Sequence, residues 1–138
     1  MKRTPVNNAD WGQQFLMNQG EVIEGATRHL HLSGQVALTD DPDGEMGLGM
    51  LAAPDDLRGQ LAAALANIDA LLSEAGMDRS NIVRLNFFTT DVDAFLANYD
   101  VLADWIGPSG VMPPQSLLGV QRLAIPALLV EVEVTAAA

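Results

Sequence analysis

A handful of side chains in this sequence have the type and spacing that chemistry needs. Glu131 is the first. A carboxylate on a late strand beside a cleft can accept a proton from water if its pKa is raised; the alternative is an exposed strand-face residue with Glu133 as its neighbour on that face. Gly34, within Ser33-Gly34-Gln35, would let the backbone approach a ligand closely; otherwise it marks a bulge or twist in a strand. Gln115 offers a neutral amide. Ser116 offers a hydroxyl that can donate to a ligand, but no G-x-S-x-G elbow surrounds it to make a nucleophile. His29 and His31 stand two apart on a strand. Two imidazoles without further partners do not make a zinc site, so an exposed strand face is the better account. Arg28, Arg84 and Arg122 remain as cations that could hold an anion.

The elements that must position these residues follow from hydrophobic periodicity. Residues 21–25 and 28–38 read as strands, with Glu24-Gly25-Ala26-Thr27 able to turn between them as a hairpin. On the second, His29, His31 and Ser33 share one face, and Leu30 and Leu32 point the other way. Leu57, Leu61, Leu65, Ile68 and Leu72 form one face of a helix predicted over 54–75. Pro54 suits its first turn, Asp55 and Asp56 suit the positive end of its dipole, and Gly76 is a natural stop.

Residues 82–89 (IVRLNFFT) read as a strand, and Thr90-Asp91-Val92-Asp93 fits a capping box for a second helix ending at Gly107-Pro108. Two further strands, 116–121 and 128–136, close the chain. On the last, Leu128, Val130, Val132, Val134 and Ala136 alternate with Leu129, Glu131, Glu133 and Thr135. The run 39–49, rich in Asp and Gly, reads as a loop. The order ββαβαββ, with opening and closing hairpins flanking two crossovers, predicts an α+β domain over 1–138: a mixed sheet with two helices on one face. Apolar residues on the other face call for a partner, and self-association is the simplest route.

Composition excludes several classes. The chain has 138 residues, no Cys and a formal net charge of -11. The missing Cys removes disulfides, thiolate zinc sites and a cysteine nucleophile. Such an acidic surface repels phosphate, which disfavours nucleic acid and anionic membranes. The N-terminus MKRTPVNNADW has no apolar h-region, and the longest apolar run, 123–130, is too short to span a bilayer and contains Pro126. The expected compartment is the cytoplasm.

Several motifs recur in order across nearly the whole chain: Ser33-Gly34-Gln35, Asn67 to Gly76, Ile82-Val83-Arg84, Thr90-Asp91 followed by Phe95, Pro114-x-Ser116, Val120 with Leu123, and Val130-Glu131-Val132-Glu133 before Ala136. Each is weak alone; the ordered set resembles the RidA (YjgF-type) family. The resemblance implies a chorismate-mutase-like α+β subunit, a homotrimer and small-metabolite pockets in clefts between subunits. It also implies hydrolysis of enamines and imines to 2-oxo acids and ammonia with no metal or organic cofactor. In this reading Glu131 matches the acid that orients the attacking water, and Gly34 lines the pocket with Ser116. Gln115 stands where the deaminase members carry a substrate-binding arginine. Arginine binds a carboxylate bidentately; glutamine is neutral. The pocket is then either retuned for a different ligand or retained without the activity, as a ligand-sensing or protein-interaction module. The endoribonuclease label attached to some members is disfavoured by the charge. An aromatic often lies near the pocket rim in that family, which draws attention to Trp11 and Phe15.

Overall fold

The computed structural model describes residues 1–39 and 50–138. In chain order its strands and α-helices are β1 (Lys2–Val6), β2 (Gly20–Glu24), β3 (His29–His31), β4 (Leu38–Thr39), β5 (Met50–Leu51), α1 (Leu57–Glu74), β6 (Ile82–Thr89), α2 (Val92–Ala97), α3 (Tyr99–Ile106), β7 (Gln115–Gly119) and β8 (Val130–Ala137). The expected loop over 39–49 lies, beyond Thr39, outside the described residues.

The leucine stripe folds as its spacing requires. Leu57, Leu61, Leu65, Ile68 and Leu72 are all buried along α1. The helix starts three residues later than Pro54, because the Asp56 carboxylate accepts the Gly59 N–H at 3.1 Å and so caps the first turn. Gly76, at φ +68°, ends it in the left-handed region that glycine occupies without penalty. The second helix is capped by Asp91 rather than by Thr90: its carboxylate accepts the Ala94 N–H at 3.0 Å. It also breaks at Asn98, whose backbone (φ -112°, ψ 19°) is not helical, into α2 and α3.

The main sheet has the order β3-β8-β6-β7. β8 runs antiparallel to β3 and β6, and β7 runs parallel to β6 after the α2–α3 crossover. The core joins α1 to Phe95, Leu102 and Ile106 of the later helices and to one face of the sheet, with Leu85, Phe87, Val130, Val132, Val134 and Ala136 at its centre. The fold is therefore α+β, a mixed sheet with its helices on one face. The alternation read in 128–136 holds: Val130, Val132, Val134 and Ala136 are buried, and the intervening residues are half-buried.

Both expected hairpins are corrected. Residues 21–25 do not pair with 28–38; β2 pairs with β1, in register from Lys2 opposite Glu24 to Val6 opposite Gly20. Gly25 does turn the chain, at φ +75°. The Thr27 and Arg28 N–H groups then both donate to the Ala138 carbonyl, which delivers the chain to the end of β8 and not back along β2. The strand read over 28–38 pairs regularly with β8 across His29–His31, after which the Leu32 N–H reaches the Val134 carbonyl, Gln35 bridges to Val132, and Leu38 opens the separate β4. At the other end, β7 and β8 are not neighbours, because β6 lies between them. The linking segment packs Leu123, Ile125 and Leu128 into a small second cluster with Phe88 and Val36.

β1 was not foreseen. Arg3 fastens this hairpin to the rest of the fold: it donates to the Glu21 carboxylate at 2.9 Å and to the carbonyls of Ser80 and Ile82. The 7–19 loop is tied in turn to the segment before β7, with the Asn18 N–H on the Met112 carbonyl at 2.8 Å.

Candidate functional site

The sheet register separates the candidate residues into two groups. Gln115 stands opposite Leu85, and Ser116 opposite Asn86. Leu85 faces the helix-covered core, so Gln115 and Leu117 face that side, while Ser116 faces away from it with Asn86. Glu131 stands opposite Phe88 and Glu133 opposite Asn86, which puts both on the uncovered face. Within one chain, then, Ser116 and Glu131 share a face, and Gln115 does not join them.

On the uncovered face Gly34 meets Glu131. A Cβ added at Gly34 would sit 2.6 Å from Glu131 Cδ and 2.9 Å from its Cγ, and closer still to Oε1. Only glycine leaves room for that carboxylate in its present position. Burial is the main cause that raises the Glu131 pKa, and the neighbouring Glu133 charge adds to it. A polar chain continues from here toward β7. Asn86 Nδ2 donates to Glu133 Oε1 at 2.9 Å, Arg84 Nε donates to Asn86 Oδ1 at 3.1 Å, and an Arg84 terminal nitrogen donates to Ser116 Oγ at 2.7 Å. Of the three candidate arginines, Arg28 donates to the Ala75 carbonyl and Arg122 to the carbonyls of Leu123 and Ala124. Arg84 alone of the three reaches a sequence-predicted site residue. The ring nitrogens of the exposed His29 and His31 gather no further ligands: no cluster of three or more His, Asp or Glu suited to a metal occurs among the described residues.

On the helix side, Gln115 lines an apolar cavity of about 180 Å³. Phe87 and Leu117 come from the sheet, and Phe95, Leu96 and Tyr99 from the α2–α3 hinge. The rest is closed by Trp11, Phe15 and Met17 of the 7–19 loop. That loop bends tightly at Gly12, where an added Cβ would lie 2.7 Å from the Met17 carbonyl oxygen. Phe15 and Tyr99 meet edge to face, their ring centres 5.7 Å apart at 82°. Gln115 Nε2 donates to the Leu16 carbonyl at 3.2 Å and to the Phe15 carbonyl at 3.5 Å. The Tyr99 hydroxyl donates to the Phe15 carbonyl at 2.6 Å and shares its single hydrogen with Gln115 Oε1 at 3.1 Å. Burial pushes the Tyr99 phenol up to about 12, against the opposing effect of the Gln115 hydrogen bond, so it stays neutral. Tyr99 was expected only on the second helix and Asn86 only within the 82–89 strand, and neither as a site residue. A polar residue inside the otherwise apolar run IVRLNFFT was the available signal for Asn86; nothing local singled out Tyr99.

The molecule is thus a small α+β fold whose sheet carries helices on one face and a polar chain on the other. The family model described as Endoribonuclease L-PSP matches residues 18–138. The chain belongs to this family, the RidA/YjgF group. It is 30% identical over 107 residues to a RutC family protein of Aquifex aeolicus (strain VF5), covering 78% of each chain. Among solved structures it resembles the Rid-family protein YyfB of Yersinia pestis, of unknown function, at 31% identity and a TM-score of 0.81 over the full length of both chains. It also resembles Escherichia coli TdcF with bound serine, at 25% identity and a TM-score of 0.66, over 88% of this chain and 87% of that one. No described helix is long and apolar enough to cross a membrane.

Proposed function

We propose that this protein is a homotrimer that binds a small metabolite in clefts between its subunits. The observation that carries the reading is the division of the candidate residues. Gln115 lies on one face of the sheet and Gly34, Ser116 and Glu131 on the other. A single site that draws on the cavity beside Gln115 and on the Glu131 face together needs a second copy to bring the two faces to one cleft. The serine bound to TdcF supports a metabolite of small size. Sedimentation equilibrium tests the assembly; a monomer at micromolar concentration would remove the shared site.

A second reading, hydrolysis of an enamine or imine, is favoured by Glu131. Its carboxylate has a raised pKa and rests against the backbone at Gly34, where it could orient a water and accept its proton. Water would add to the C=N carbon, ammonia would leave and a 2-oxo acid would remain. The site of this chemistry lacks an arginine at position 115, so the carboxylate of such a substrate would have to be held elsewhere. Ammonia release from freshly generated 2-aminoacrylate tests it. The expected result is an acceleration that Glu131→Gln abolishes, and a rate equal to that of buffer would rule hydrolysis out. RNA cleavage is disfavoured by the net charge of -11.

A further inference from the structure

We infer that the cavity beside Gln115 takes an uncharged, planar ligand about the size of a single aromatic ring, and that it rejects carboxylates. This rests on the metabolite-binding reading above and specifies the ligand class. The cavity measures about 180 Å³, and none of its nine lining residues is ionised. A dry apolar cavity of roughly 150 Å³ suffices to hold benzene. The walls supply ring edges and faces. Phe15 and Tyr99 stand edge to face, and Phe95 lies 5.2 Å from Phe87 and 6.2 Å from Tyr99, centre to centre. Trp11 and Leu96 leave about half of their surface exposed at the rim, so the cavity has a mouth.

The polar groups of Gln115 and Tyr99 are already used, and the Trp11 indole N–H lies at the exposed rim. The Gln115 amide nitrogen donates to the backbone carbonyls of residues 15 and 16, and the one Tyr99 hydrogen is shared between Phe15 and Gln115. Gln115 therefore acts as a clamp on the 7–19 loop, not as a ligand donor. A carboxylate entering this space would lose its water and find no cation among the lining residues, with the Trp11 indole N–H at the exposed rim as its one donor. An aromatic ring would lose little and gain the contacts of the walls.

Benzyl alcohol and benzoate, nearly equal in size but different in charge, separate the cases. Saturation-transfer NMR and titration on the native full chain should show benzyl alcohol binding at least tenfold more tightly than benzoate. Leu96→Trp, a rim change outside the core, should abolish that binding. Gln115→Arg should reverse the preference. Benzoate binding to the native protein as well as benzyl alcohol does would overturn the ligand class while leaving metabolite binding intact. Benzoate binding only to Gln115→Arg, with nothing bound by the native chain, would also overturn it. Failure of every variant to bind either probe, with no binding of serine, would instead remove the metabolite-binding reading itself. A Trp11 emission that shifts with protein concentration while neither probe binds would assign the cavity to a side chain of a second copy, and the inference would fall.

Discussion

Replacing Gly34 by Ala is a sharp probe of the uncovered face, because its cost is set by one neighbour. The new methyl would overlap the Glu131 side chain at Cγ, Cδ and Oε1, and no other residue is among its three nearest atoms. A carboxylate is the far end of a flexible side chain, so it can swing aside. That displacement breaks its fit to the backbone and costs about 1–2 kcal/mol, toward the low end for overpacking. Removing the obstacle should remove the cost. Glu131→Ala in the Gly34→Ala background should therefore recover most of the loss, a coupling of about 1 kcal/mol in a double-mutant cycle. Urea unfolding of the four proteins at one fixed concentration, which keeps any association constant, reads the cycle directly. Additive losses within a few tenths of a kcal/mol would refute the claim that Gly34 exists to admit Glu131. A loss far above 3 kcal/mol would mean that the backbone itself had shifted.

Other consequences are simpler. Tyr99→Phe removes the hydroxyl that serves Phe15 and Gln115 and should cost about 1–2 kcal/mol in urea unfolding, together with a change in Trp11 emission as the 7–19 loop loosens. Gln60→Leu should cost about 2–4 kcal/mol by the same measurement. The buried Gln60 amide donates to the carbonyls of Ala53 and Ala127 and accepts the Leu129 N–H; the Ala53 carbonyl would keep the Asp56 N–H, but the Ala127 carbonyl and the Leu129 N–H would lose the Gln60 amide. Glu131→Gln should stabilise the protein at neutral pH. A carboxyl whose folded pKa is raised binds its proton more tightly in the native state. Its ionisation therefore weakens the fold progressively as pH rises from the ordinary carboxylate range through the raised folded value, and the penalty is full above that. The advantage of the variant should vanish at acidic pH, and a constant difference across the titration would contradict the assignment.

Much of this molecule was legible from periodicity. The 82–89 strand was read with its observed bounds, the α1 stripe is the buried face of that helix, and the alternation of Val130, Val132 and Val134 with Glu131 and Glu133 set which way Glu131 points. Those features depend on local geometry: a repeat of 3.6 or 2 residues decides which side chains share a face. The ordered motifs likewise carried the family, and the match over 18–138 bears that out. Strand partners were a different matter. β1, with its sequence KRTPV, has no buried alternation and forms only because Arg3 and β2 hold it.

The sequence by itself determined the α1 stripe, the β6 strand, the fold class and the face that Glu131 occupies, because each follows from neighbours a few residues away. Only the tertiary structure decided what Gln115 does. Its role depends on Tyr99 from the second helical region and on the carbonyls of residues 15 and 16, brought together from widely separated stretches of chain. A residue type gives its hydrogen-bonding capacity, but whether that capacity is free for a ligand or already spent is settled by what the fold places beside it.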